Sequence, residues 1–222
     1  MRINIKSLFY AAPALMIAWP GTGCDYEAGL TFEKDGLAYH VLTQDPAAKV
    51  GTVSVWPGSA RMTGDLVIPE SLTVNGIEYF VELMGSFRDQ SIRSIRIPEG
   101  VSVIMDGAFE RCGQLTSAEI PGSVTIIYSR TFYGCSNLTE LKLLEGVRDI
   151  NRYAFSFCEK LKSVEIPDSL LWIEKQAFEG CGMSEPEKES LIRRAEQNRE
   201  REHSRKKKNS DLLDSFDLFE SL

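Results

Sequence analysis

Apolar residues return along this chain at a fixed interval. Phe109, Phe132, Phe155 and Phe178 lie 23 positions apart, and Cys112, Cys135, Cys158 and Cys181 keep the same step. Leu115, Leu138 and Leu161 form a third column, and Ile104, Ile127, Ile150 and Ile173 a fourth. Val101, Val124, Val147 and Leu170 add a fifth, and Ile97, Ile120, Leu143 and Ile166 a sixth. Six columns in register at a period in the low twenties predict a solenoid, in which each coil is too small to bury its apolar face without its neighbours.

The pattern inside one period is also legible. In "SVEIP" (163–167), Val164 and Ile166 alternate with Ser163 and Glu165, the mark of a short half-buried strand. Pro167 ends it, having no N–H to give to a ladder. Leu170, Ile173, Phe178 and Cys181 then punctuate the return path. Stacked coils should place parallel strands on one face and a continuous core behind them. One earlier coil is longer: "DLVIPESLTVNGIEYFVELMGSFRDQSIRS" (65–94) opens like the others at Ile68-Pro69, but Pro98 follows Pro69 by 29 positions. The excess contains "VNG" (74–76), a turn signal between two β-rich runs, so an inserted hairpin is expected. That makes about five 23-residue coils over 63–182.

"IPGSVTIIYSRTFYGCSNLTEL" (120–141) resembles the BspA-like leucine-rich repeats, whose consensus runs IPxxVxxIgxxAFxxCxxLxxv. The longer first coil, "VIPESLTVNGIEYFVELMGSF" (67–87), is similar to that family's entry into its repeats. Leu144 for Pro, Thr131 for Ala and Ala118 for a larger apolar residue are the departures. The resemblance implies an α/β-type leucine-rich repeat solenoid dominated by β. It also implies a bacterial surface module that binds proteins, in adhesion to host matrix or to other cells.

The flanks differ from the repeats. Residues 1–23 place Arg2 and Lys6 before an apolar run from Leu8 to Trp19 and then small residues, the plan of a signal peptide and too short for a membrane span. "GTGC" (21–24) resembles a lipoprotein cleavage box, which would make Cys24 the lipidated first residue and a membrane anchor; Gly21 departs from it, and ordinary cleavage nearby is the alternative. The expected location is therefore an outer-membrane or cell-surface lipoprotein, or else a secreted or periplasmic protein. Residues 24–62 contain "LTFEKDGLAYHVL" (30–42) and "AKVGTVSVW" (48–56), both alternating, with "DG" as a hairpin turn, and are expected to form an N-terminal β cap. Residues 183–222 are expected to form a charged helical or disordered tail. Ser184 and Glu187 have capping-box spacing, and Leu191, Ile192 and Ala195 offer a patch to close the last coil. "DLLDSFDLFESL" (211–222) mixes Leu and Phe with four acids and no base, a composition that folds on a partner or stays loose.

Chemistry adds little. The net charge of −7 argues against general nucleic-acid binding, and the basic cluster "RKKK" (205–208) is local. The two histidines, His40 and His203, fall in no metal-binding pair or triad, and no phosphate-binding loop or hydrolase elbow is present. No enzyme activity, cofactor, metal or small-molecule substrate is expected. A parallel row of cysteines suits neither disulfide geometry nor a zinc tetrahedron, so Cys112, Cys135 and Cys158 are expected to be buried, inert packing, with Cys181 more exposed. On the strand face, Arg96, Glu119, Lys142 and Glu165 should stack with alternating sign. Such a row either stabilises strand pairing or presents a striped surface to a protein partner.

Overall fold

The computed structural model describes residues 30–220, and side chains through residue 208. The expected leader at 1–23 and the expected lipidation site Cys24 lie outside the described residues. The elements are mostly β, with one C-terminal helix. Strands β1 (Thr31–Lys34), β2 (Leu37–Asp45) and β3 (Val50–Pro57) form an antiparallel meander. Asp35 and Gly36 join β1 to β2 with positive φ of 53° and 79°, the backbone of a type I′ turn. β3 then pairs in parallel with β6 (Ile77–Met84). The meander is thereby continuous with the sheet of the first coil.

The inserted hairpin is β5 (Ser71–Val74) against β6, with Asn75 and Gly76 at φ of 52° and 80°. The strand face of the solenoid is a parallel sheet of β4 (Thr63–Val67), β7 (Ser91–Arg96), β9 (Ser117–Ile120) and β11 (Glu140–Leu143). The segment around Glu165 adds only an isolated bridge to Lys142, where a full strand was expected. It is the outermost coil on that face, so no further strand pairs with its far edge.

Strands are not confined to one face. On the return side, β8 (Val103–Ile104) pairs in parallel with β6, and β10 (Ile126–Ile127), β12 (Asp149–Ile150) and β13 (Trp172–Ile173) form a parallel sheet of their own. The parallel strands expected on one face are present, and these return-side strands come in addition to them. Each return strand is two residues long, one half-buried or exposed and one buried. That is too short for alternation to announce it, and stacking of coils supplies the pairing.

The core runs between these faces. Phe87, Phe109, Phe132, Phe155 and Phe178 form one stack, with ring centroids 5.7, 5.2, 5.3 and 5.3 Å apart and rings within 19° of parallel. Each ring is almost wholly removed from water. Burial of a side chain this size contributes about 1.5–3 kcal/mol, so the column is a principal source of stability. Backbones approach closely enough to require glycine at several places, most tightly at Gly122, where a Cβ would run into the Glu145 carbonyl of the next coil.

Helix α1 (Glu185–Glu220) closes the far end. Glu187 accepts from the Ser184 N–H at 2.8 Å, as the capping-box spacing predicts. Ala195 is buried against the last coil, with Leu191 and Ile192 half-buried beside it. Asn198, also buried, donates from Nδ2 to the carbonyls of Leu170 at 3.1 Å and Pro167 at 3.3 Å. Arg148 pairs with Glu202 at 3.0 Å, and the Arg199 guanidinium lies 5.1 Å from the Trp172 ring. No helix among the described residues is long and apolar enough to cross a membrane.

Candidate protein-binding face

The strand sheet brings together the four residues singled out on it. Arg96 is registered against Glu119, Glu119 against Lys142, and Lys142 against Glu165. The alternation of Ile95, Ala118, Leu141 and Val164 into the core leaves these four on the open side. Lys142 Nζ bonds Glu119 Oε2 at 2.8 Å, and both side chains remain well exposed. The end members, Arg96 and Glu165, make no ion pair among the described residues. A shallow groove of about 630 Å³ lies over this face, lined by Ser117, Glu119, Thr139, Glu140, Lys142 and Glu165 among others.

A second charged cluster borders the face near the first coil. Arg93 grips Asp65 with two bonds, Nε to Oδ1 at 3.1 Å and Nη2 to Oδ2 at 2.7 Å, and Ser94 donates to the same carboxylate at 2.7 Å. The Arg93 hydrogen bond, joined by that of Ser94, holds the Asp65 carboxyl down to about 2. Sequence reading missed this pair because the register shifts between Gly64 and Asp65, and only the bulge sets Asp65 opposite Ser94.

The cysteines of the repeats are packing residues. Cys112, Cys135 and Cys158 are free and buried, and Cys181 is half-buried. Each buried thiol donates to the carbonyl of a phenylalanine one coil back: Cys112 to Phe87, Cys135 to Phe109 and Cys158 to Phe132, at 3.1, 3.2 and 3.2 Å. Burial pushes the thiols of Cys112 and Cys158 up to about 12 and that of Cys135 well above its ordinary range. None is available as a nucleophile near neutral pH. His40 is exposed, its ring edge-on to Trp56 at 5.8 Å. Among the described residues, no group of three His, Cys, Asp or Glu side chains could hold a metal ion.

The family model for the BspA type leucine rich repeat region matches in six copies over residues 83–197, a little over half the chain. Solved structures of similar fold include the pneumococcal vaccine antigen PcpA, at 18% identity and a TM-score of 0.53, covering 72% of this chain and 51% of that one. Others are a leucine-rich repeat protein from Bacteroides ovatus, at 27% identity and a TM-score of 0.44, with 68% and 33% of the two chains covered, and a leucine rich cell surface protein from Faecalibacterium prausnitzii, at 23% and 0.49, with 71% and 48% covered. The matches span about half or less of the length of these three structures. A search of curated proteins finds no match.

Proposed function

Because this chain belongs to the BspA-type leucine-rich repeat family, we propose that it is an exported, non-catalytic protein that binds another protein through its strand face. The observation that carries the reading is the registered row of Arg96, Glu119, Lys142 and Glu165. Its central pair satisfies itself, while its two ends are free to meet a partner. The groove over this face is shallow and open to solvent along the sheet, which suits a macromolecule better than a small substrate that needs to be enclosed. The partner class proposed is a host-matrix or cell-surface protein, with adhesion as the role. Residues 1–23 as leader and Cys24 as lipid anchor would hold the chain at the bacterial surface.

The test is binding of the chain from Asp25 to Leu222 to immobilised matrix proteins, with and without changes to the row. Binding that needs the row supports the reading; binding indifferent to it, or turnover of a substrate by the purified chain, contradicts it. A second reading, an accessory scaffold subunit docking through its C-terminal tail, is favoured by one observation. Helix α1 continues to Glu220, well past Glu202, whose pair with Arg148 ties it to the solenoid.

A further inference from the structure

The turns around the phenylalanine column hold backbone in the left-handed region at two repeating positions. Two residues before the ring stand Gly107, Arg130 and Tyr153; two residues after it stand Asp89, Arg111, Gly134, Phe157 and Gly180. Glycine takes this backbone freely, as at 107, 134 and 180, whereas a bulky side chain is strained in it. Four bulky residues keep it: Arg111, whose guanidinium pairs with Asp89 at 2.7 Å, and Arg130, Tyr153 and Phe157 on the next two turns, with φ of 59°, 57°, 61° and 60°. Since glycine makes the same turns elsewhere in this chain, the fold does not require the strain.

The last three form one patch with their neighbours. The Arg130 N–H donates to the Arg152 carbonyl at 3.3 Å, which fixes the two turns side by side. The rings of Tyr133 and Phe157 meet edge-on at 5.2 Å. Phe157 is 43% exposed and lies over Gly180, where an added Cβ would touch its ring at 2.9 Å. The guanidinium of Arg130 stands 5.9 Å from the Tyr133 ring, and that of Arg152 stands 4.6 Å from the Tyr153 ring. Neither arginine makes an ion pair among the described residues; Arg130 acts on Asp106 only through its field. One exposed and two half-buried aromatics beside arginines are the composition of an interface hot spot, and retained strain points to use.

The occupant of such a patch must bring apolar side chains and carboxylates together. The end of this same chain does so: Asp211, Asp214, Asp217 and Glu220 alternate with Leu212, Phe216 and Phe219, which are spaced four and three apart as on one side of a helix. Helix α1 runs on into this segment beyond Glu202. Residues 203–208 are all exposed, and at about 1.5 Å per residue the segment starts roughly 14 Å beyond Glu202. We propose that the patch of Arg130, Tyr133, Arg152 and Phe157 binds the acidic, apolar end of α1 from a second copy of this chain. The contact joins two different surfaces, so copies associate either head to tail or by reciprocal exchange of their tails. It is independent of the strand face, and its failure leaves that reading untouched.

Sedimentation velocity tests it on the chain from Asp25 to Leu222, which retains every described residue. The sedimentation coefficient should rise with concentration. A patch variant, Arg130→Glu with Arg152→Glu, and a chain ending at Lys208 should each stay monomeric alone. Mixed in equal amounts they should form a 1:1 complex, because one supplies the tail and the other the patch. Phe157→Gly, which suits the backbone it replaces, should weaken association at least tenfold while the melting curve remains cooperative. A full chain that stays monomeric at every concentration overturns the proposal. So does self-association of the chain ending at Lys208, or a mixture that forms no complex.

Discussion

The thiol of Cys135 donates to the carbonyl of Phe109 at 3.2 Å, and that same carbonyl also accepts the N–H of Cys112 at 3.1 Å. Two successive coils are thus tied to one oxygen. The arrangement repeats a coil later, where the Phe132 carbonyl takes the Cys158 thiol and the Cys135 N–H, both at 3.2 Å. Cysteine suits the position because it fills a buried site as a small hydrophobe and still offers a weak donor.

The thiols should therefore resist labelling by a disulfide reagent until denaturant is added. Their effect on stability has a definite sign. A thiol whose pKa is raised from 9.0 to about 12 on folding holds its proton more tightly in the folded chain. That stabilisation is complete below about pH 9 and is lost as pH rises towards 12. Melting temperature should fall over this interval. A variant with Cys112→Ser, Cys135→Ser and Cys158→Ser should show a shallower fall, leaving the contribution of Tyr39, also raised to about 12 by burial. Equal slopes in the two proteins would refute the assignment.

Phe155 sits between Phe132 and Phe178, 5.3 Å from each. Phe155→Ala should cost roughly 3–5 kcal/mol and weaken the whole solenoid together, since each coil is held by its neighbours. Urea titration followed by far-UV circular dichroism measures it; loss below about 1 kcal/mol would mean the column is not the core.

Asn198 ties α1 to two carbonyls of the last coil. Asn198→Ala leaves both buried acceptors without that donor and should cost about 1–3 kcal/mol. Hydrogen exchange should then show the last coil opening before the central ones, whereas uniform protection would contradict a capping role for the helix.

Much of this was legible because a 23-residue period repeats its own evidence. The columns of Phe109, Cys112, Ile104 and Ile97 each recur, and together they fix which side chains share a layer and which face solvent. The charge row followed directly, since register between identical coils sets Glu119 opposite Lys142. Phe87, the first ring of the stack, escaped because it precedes Phe109 by 22 positions rather than 23. The return-face strands escaped because two residues carry no periodicity. Asn198 gave no signal either: a polar residue in a charged helix looks solvated until the carbonyls of Leu170 and Pro167 are seen beneath it. The strained turns at Arg130, Tyr153 and Phe157 could have been suspected, since their columns hold glycine at 107, 134 and 180.

The most direct test of the proposed function separates the two uses of the charge row. The variant is Arg96→Glu, Glu119→Lys, Lys142→Glu and Glu165→Lys. It preserves alternation down the stack, and so any benefit to strand pairing, but inverts the pattern a partner meets. Exposed pairs of this kind contribute about 0–1 kcal/mol, so its melting curve should match that of the parent chain. Surface plasmon resonance on immobilised matrix proteins should show the parent chain binding and the variant at least about tenfold weaker, a difference of about 1.4 kcal/mol. Equal binding by the two folded proteins would contradict the strand face as the site.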